Sequence, residues 1–186
     1  MSRPFHLDVP DAELDDLRAR LRRTRWPERE TDRSQGVPLD YMQELCDYWA
    51  RSYDWRPTER WLNERGQLTA PVDGLDLHLL HVRSPHAAAT PLLLTHGWPG
   101  SVLEFRKVIG PLTDPIAHGG EAADAFHVVC PSLPGYGFSQ KPSAPGWTVE
   151  RIARAWCALM DRLGYARFVA HGGDWGALVS ASIAEQ

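Results

Sequence analysis

Short apolar runs alternate with segments of helical periodicity from about residue 67 onward, and this alternation constrains the fold more than any other feature. Residues 68–72 and 75–82 are strand-like runs separated by Asp73-Gly74, which is a strong hairpin signal. Further apolar runs and helical segments follow in alternation: strands at 91–95, 126–130 and 167–171, and helices near 101–113 and 148–163. Strand–helix–strand order favours right-handed parallel crossovers, so the pattern predicts an α/β sheet.

The first 66 residues show a different pattern, without strand-like runs. Leucines at helical spacing predict a helix over 11–23. Pro38 and Pro57 are each placed to begin a further helix, and Gly66 is placed to end the last one. The sequence therefore predicts two domains, a helical region over 1–66 and a sheet-containing region over 67–186.

Composition excludes several classes of protein. Hydrophobic residues make up 43% of the 186 residues, which is typical of a globular protein. The net charge is −4, whereas non-specific binding to nucleic acid requires positive charge. The three cysteines are far apart and form no C-x-x-C pair, which argues against a disulfide framework or a zinc site. No apolar run is long enough for a signal peptide core or a membrane span. We therefore expect a soluble cytoplasmic protein without nucleic-acid or membrane partners.

A glycine-rich turn follows the last predicted strand and precedes a predicted helix over 177–184. Its residues are Gly172, Gly173, Asp174, Trp175 and Gly176. This is the pattern G-x-nucleophile-x-G, in which glycines permit a sharp strand-to-helix turn that presents only the central side chain. A carboxylate at a helix N-terminus stays ionised at neutral pH and can attack a strained carbon. The five residues alone are equally compatible with Asp174 as a simple helix N-cap.

A second loop, His96 to Ser101, directly follows the strand predicted at 91–95. In α/β-hydrolases such a loop supplies one N–H of an oxyanion hole, and the residue after the nucleophile supplies the other. We expect the backbone N–H groups of Trp98 and Trp175 to converge near Asp174, with simple packing of the two tryptophans as the alternative. His96 is interpreted as holding loop backbone, and a role as catalytic base is less favoured.

The remaining histidines do not indicate a metal site. His78 and His81 lie in a predicted hairpin strand, and His171 immediately precedes the glycine turn. They lack the spacing of metal ligands, so no metal is predicted. Tyr136 and Tyr165 are interpreted as packing residues, because the first lies in a Gly-Pro loop and the second precedes a strand.

Together these segments resemble the α/β-hydrolase epoxide hydrolases of the microsomal and juvenile-hormone type, over essentially the whole chain. The resemblance is carried by an N-terminal region and by three ordered motifs. The N-terminal segments are RWP at 25–27, GVPLDY at 36–41, DYW at 47–49 and DWR at 54–56. The motifs are LTHGWPGS at 94–101, PSLPGYGFS at 131–139 and GGDWG at 172–176. Membrane-bound members of this family have a hydrophobic N-terminal anchor that these residues lack, so we expect the chain to resemble the soluble bacterial members.

The resemblance implies an α/β-hydrolase fold, with a mostly parallel sheet and helices on both faces, preceded by a helical meander. It implies Asp174 as nucleophile and Trp98 and Trp175 as the oxyanion hole. Pro99 is expected after a cis peptide bond, and no cofactor is implied. The residues expected to support the two loops are His96, Gly97, Pro99, Gly172, Gly173 and Gly176.

The implied activity is the addition of water to a small-molecule epoxide, which gives a vicinal diol through an aspartyl ester. The family also needs a histidine base, its acidic partner and two lid tyrosines, and none of these can be assigned before Gln186. We therefore expect a core that is incomplete at the C-terminus, and a missing C-terminal half or self-association. Two alternatives stay open. The first is a haloalkane dehalogenase with the same aspartate nucleophile, which the motifs before residue 65 disfavour. The second is a non-catalytic fragment.

Overall fold

A computed structural model describes residues 2–186 and divides them into two compact units. One unit is Leu7–Trp61, and the other combines residues 2–6 with Leu62–Gln186. The second unit contains the sheet and both loops that the sequence singles out.

The unit over Leu7–Trp61 is helical. Helix α1 spans Asp11–Arg22, α2 spans Leu39–Arg51, and α3 begins in this unit and spans Arg56–Asn63. A 3₁₀ turn over Arg33–Gln35 precedes α2, and Pro38 is the N-cap residue of that helix. The predicted helices are confirmed, but the third ends three residues before Gly66.

A buried carboxylate joins the start of this unit to α3. Glu59 is 6% exposed, and its two oxygens accept hydrogen bonds from the Val9 N–H at 2.7 Å and from Arg56 Nη1 at 2.7 Å. The indole N–H of Trp55 also donates to it at 3.3 Å. Because a buried charge is tolerated only when it is paired and hydrogen-bonded, these contacts fix the segment before α1 against α3.

The second unit is built on a six-stranded sheet in the order β1-β2-β3-β5-β4-β6. The strands are β1 Arg3–Pro4, β2 Gln67–Val72, β3 Leu75–Val82, β4 Thr90–Thr95, β5 Phe126–Pro131 and β6 Val169–Gly172. Strand β4 pairs parallel with both β5 and β6, whereas the pairs β1–β2, β2–β3 and β3–β5 are antiparallel. The sheet is therefore mixed, and the expected parallel pairing is confined to β4, β5 and β6.

Three α-helices lie in the same unit: α4 Ile109–Thr113, α5 Val149–Arg162 and α6 Trp175–Ala184. The single helix predicted over 101–113 is wrong, because a 3₁₀ turn over Val102–Phe105 is separated from the short α4. Pro111 explains the break, since proline has no N–H to donate to the carbonyl four residues earlier.

The main core is formed by side chains of the sheet together with those of α5 and α6. Leu75, Leu77 and Leu79 alternate along β3 and share one buried cluster with Trp156 and Leu159 of α5. The indole N–H of Trp156 donates to the buried hydroxyl of Thr95, 3.1 Å away, at the carboxyl end of β4. The core thereby fixes the point from which the first of the two loops departs.

A polar network is buried beside β3. His78 is fully buried, and its Nε2 lies 3.0 Å from Oε1 of the Gln67 side chain while its Nδ1 lies 2.9 Å from the Ser132 hydroxyl. A neutral ring with the proton on Nε2 satisfies both contacts. Burial lowers the pKa of His78 from 6.5 to about 4.

This network predicts a loss of stability in mild acid. In the unfolded chain His78 takes up a proton near pH 6.5, but in the folded chain it does so only near pH 4, so protons favour unfolding within that window. We expect the free energy of unfolding to fall by about 1.4 kcal/mol for each pH unit below 6.5 from this residue alone. Urea unfolding between pH 6.5 and pH 5 measures the slope. His78→Gln should reduce it, and an unchanged slope in that variant would contradict the assignment.

Candidate active site

The turn between β6 and α6 has a strained backbone. Asp174 lies there with φ 54° and ψ −124°, and apart from Asp73 no other non-glycine residue within 2–186 has a positive φ. Although Asp174 occupies the N-cap position of α6, its side chain makes no capping hydrogen bond. The simple N-cap interpretation is therefore wrong.

Two backbone N–H groups from different loops meet this carboxylate. The N–H of Trp98 donates to Asp174 Oδ1 at 2.8 Å. The pKa of Asp174 lies below its usual value, chiefly because the backbone N–H of Trp98 hydrogen-bonds the carboxylate. The backbone N–H of Trp175 lowers the pKa further. Asp174 is therefore ionised at neutral pH, with donors already placed on it.

Close approach between the two loops requires glycine. A Cβ atom on Gly97 would lie 2.6 Å from the Asp174 Cβ and 2.7 Å from its Oδ1. A Cβ on Gly176 would collide with the Thr95 carbonyl, and one on Gly172 would collide with the backbone of Gly176. No atom lies within 4 Å of the corresponding position on Gly173. Three of the four glycines are thus required sterically, whereas Gly173 is not.

His96 braces the first loop from beneath. It is 1% exposed, its Nδ1 lies 3.0 Å from the Gly97 carbonyl, and its Nε2 accepts the Leu133 N–H at 3.1 Å. Burial lowers the pKa of His96, so the ring is neutral. Because both ring nitrogens are engaged, neither is free to activate water, which supports the structural interpretation over the catalytic one.

The side chains of the two tryptophans are exposed beside the carboxylate. Trp98 is 66% exposed and Trp175 is 47% exposed. The peptide bond between Trp98 and Pro99 is cis, as the resemblance implied. Within residues 2–186 these tryptophans do not pack into the core, so their surfaces are available to a ligand or to further protein.

Comparisons with known proteins agree with this geometry. Residues 2–105 match the family model described as epoxide hydrolase N terminus, and residues 90–186 match the one described as alpha/beta hydrolase fold. The chain belongs to the epoxide hydrolase family. It has the α/β-hydrolase fold, and the resemblance expected from the sequence motifs is confirmed.

Among relatives of this family, a putative epoxide hydrolase of Stigmatella aurantiaca is 58% identical over 183 residues, which are 97% of this chain and 42% of that protein. Epoxide hydrolase 1 of Oryctolagus cuniculus is 41% identical over 189 residues, and the match covers 98% of this chain and 42% of that protein. The chain thus spans about two fifths of the length of these curated relatives.

Two solved structures of the family superpose on all or nearly all of the chain. The juvenile hormone epoxide hydrolase of Bombyx mori matches with a TM-score of 0.86 and 30% identity, covering 100% of this chain and 50% of that one. The epoxide hydrolase of Aspergillus niger matches with a TM-score of 0.81 and 32% identity, covering 97% of this chain and 48% of that one.

The glycine requirement leads to a test with a matched control. Gly176→Ala should lower the free energy of unfolding by about 3 kcal/mol, because its Cβ meets fixed backbone rather than a movable side chain. Gly173→Ala should change it by less than about 0.5 kcal/mol, since that position is exposed and open. Urea unfolding of both variants gives the comparison, and equal destabilisation would show that the turn adapts.

One structural feature beside the site was not identified from the sequence. A cleft of about 530 Å³ lies next to Trp175 and is lined in part by Tyr136 and Trp147. Tyr136 packs partly against the core, as predicted, and its ring contacts that of His96 edge-on at 5.6 Å. The available signal was Trp147 itself, a tryptophan within a loop rich in glycine and proline.

Within residues 2–186 no group of three or more His, Cys, Asp or Glu side chains is arranged to hold a metal ion. Each helix in the same range is too short or too polar to cross a bilayer.

Proposed function

We propose that this chain supplies the nucleophile and the oxyanion hole of an epoxide hydrolase, with residues 67–186 as the first half of its hydrolase core. The observation that carries the proposal is the Asp174 carboxylate, which is ionised at a strained turn and hydrogen-bonded by backbone N–H groups from two loops. Relatives named epoxide hydrolase support the choice of substrate class.

In the first step, the carboxylate attacks a ring carbon of the epoxide. A bond forms between that carbon and one Asp174 oxygen, while the carbon–oxygen bond of the ring breaks. The ring oxygen keeps the electron pair and takes a proton from an acid. Since Oδ1 is held by the Trp98 N–H, the other oxygen, Oδ2, is the one free to attack.

In the second step, water attacks the carbonyl carbon of the aspartyl ester, and a base takes its proton. Negative charge then develops on the carbonyl oxygen, which is Oδ1 of Asp174. The N–H groups of Trp98 and Trp175 stabilise this charge, and one such donor is typically worth about 10²–10³-fold in rate. The bond between the carbonyl carbon and Oδ2 then breaks, and the base returns its proton to the departing oxygen. The diol leaves with the former Oδ2, and the oxygen from water completes the restored carboxylate.

We propose that the acid for the ring oxygen and the base for the water molecule both lie outside the described residues. Within residues 2–186, His96 and His78 both have their ring nitrogens engaged in buried contacts. The curated relatives are more than twice as long as the region they share with this chain. We propose that further residues after Gln186 supply these groups, and the protein extended in this way is called the full-length enzyme below.

The three cysteines support a reducing compartment. Cys46, Cys130 and Cys157 are all unpaired in the described part of the chain. Since free cysteines persist where disulfides do not form, we propose a cytoplasmic location.

A direct assay separates this function from dehalogenation. The match of residues 2–105 to the epoxide hydrolase N-terminal model favours epoxides over haloalkanes. The full-length enzyme should convert styrene oxide to its diol and should release no halide from chlorobutane. Halide release without diol formation would contradict the proposal and favour the dehalogenase.

A further inference from the structure

A separate cleft, the α1–α2 cleft, lies wholly within the helical unit Leu7–Trp61. It encloses about 470 Å³, which is within the range of about 300–1,000 Å³ for sites that bind small molecules. Its floor is one face of α2, where Gln43, Cys46 and Ala50 follow helical spacing. Leu21, near the end of α1, and Trp26, in the segment that follows α1, also line it.

Three side-chain donors on this cleft have no hydrogen-bond partner within residues 2–186. They are the guanidinium group of Arg22, the amide of Gln43 and the indole N–H of Trp26. Arg23, the next residue after Arg22, lies outside the lining and instead donates to the Ala19 carbonyl at 3.2 Å. Since the three free donors share one concave surface, they suit a ligand that carries oxygen acceptors.

The charge of the lining favours an anion. Arg51 and Asp47 both line the cleft and form an ion pair one turn apart on α2, so their charges offset each other. Arg22 forms no ion pair in the described part of the chain, and its positive charge is left uncompensated. A carboxylate matches a guanidinium group in shape as well as in charge, because two N–H donors can meet its two oxygens.

The apolar part of the lining suits a flat ring. Trp26 is 36% exposed, so part of its indole surface is accessible at the cleft. Leu21 and Ala50 supply further apolar surface. A ring stacked on an indole gains stabilisation beyond the burial of apolar area, and therefore an aromatic acid is favoured over an aliphatic acid of the same charge.

We propose that the α1–α2 cleft binds an aromatic carboxylate, whose carboxyl group pairs with Arg22 and whose ring lies against Trp26. The Gln43 amide donates a further hydrogen bond to the carboxylate. The site uses none of the residues assigned to the epoxide reaction, so it is an accessory ligand site. It stands or fails independently of the proposed function.

Cys46 reports whether the cleft is occupied, because it is part of the lining. Cys157, on α5, is outside the cleft and serves as internal control, since both cysteines are unpaired and half-buried. The 186-residue chain is alkylated with iodoacetamide at increasing 2-naphthoate concentrations, and mass spectrometry follows both peptides. Alkylation of Cys46 should slow along a saturation curve while that of Cys157 stays constant. Unprotected Cys46 at about 10 mM 2-naphthoate, or equal slowing at both cysteines, would overturn the proposal.

Two related compounds separate the charge of the ligand from its ring. 2-Naphthalenemethanol has the ring without the charge, and acetate has the charge without the ring. Each should protect Cys46 at least about tenfold less well than 2-naphthoate does. Protection by the alcohol equal to that by 2-naphthoate would overturn the carboxylate assignment, and equal protection by acetate would overturn the aromatic one.

Variants then test the two residues that recognise the ligand. Arg22→Gln should weaken protection by 2-naphthoate about five- to tenfold. Arg23→Gln is the matched control, because it removes the same charge at the same helix end but outside the cleft, and it should bind as the original chain does. Equal weakening in both variants would overturn the pairing with Arg22.

Trp26→Leu provides a second measure that keeps the guanidinium group. It should lower the preference for 2-naphthoate over acetate about three- to tenfold and leave acetate binding unchanged. An unchanged preference would overturn the placement of the ring against Trp26. Both variants should fold, since the side chains of Arg22 and Trp26 are exposed, and the unchanged alkylation rate of Cys157 checks this.

Discussion

Replacing Asp174 with alanine is expected to lower diol formation by the full-length enzyme about 10⁴-fold or more, because the variant has no group that can form the ester. Folding should be nearly unchanged, since the side chain is exposed and is not used to cap α6. Single-turnover diol formation and thermal unfolding measure the two effects. A variant that keeps more than about a tenth of the rate would remove Asp174 from the mechanism.

Isotope labelling distinguishes the ester from direct attack by water. In a single turnover in heavy-oxygen water, the diol should contain ordinary oxygen taken from Asp174, and the label should enter the Asp174 carboxyl. Mass spectrometry of the peptide that contains residue 174 detects it. Label found only in the diol would show that water attacks the epoxide directly. Asp174→Asn is a weaker control, because slow deamidation restores the acid.

Signals that are local in sequence predicted the corresponding structure well. Asp73-Gly74 forms the turn between β2 and β3, and the apolar run ending at Thr95 is β4. The glycine-rich motif at 172–176 predicted both the strained backbone at Asp174 and the start of α6. Each depends on the conformational preferences of a few adjacent residues, which a single sequence contains in full.

Features that depend on distant residues were not predictable in this way. Strand β1 has two residues and forms only because it pairs with β2. The ion pair between Asp73 and Arg151 joins residues 78 positions apart, and it is what fixes Trp147. Hydrophobic periodicity carries no information about such contacts, and therefore the cleft emerged only from the structure.

The 186-residue chain alone is expected to hydrolyse styrene oxide at least about 10⁴-fold more slowly than the full-length enzyme. Ring opening needs an acid and ester hydrolysis needs a base, and each contribution is typically about 10²–10⁴-fold. Diol formation by the two purified proteins measures the difference, with the Asp174→Ala variant of the full-length enzyme as the floor.

The same chain should also self-associate, which links its solubility to its activity. Strand β6 ends the strand order and pairs only with β4 within residues 2–186. Val169 of β6 is 47% exposed and Leu178 of α6 is 54% exposed, and an open edge with exposed apolar side chains favours association. Co-expression with the residues that follow Gln186 in the full-length enzyme should restore solubility and diol formation together. Repeated turnover by the purified chain would instead place the base among residues 2–186.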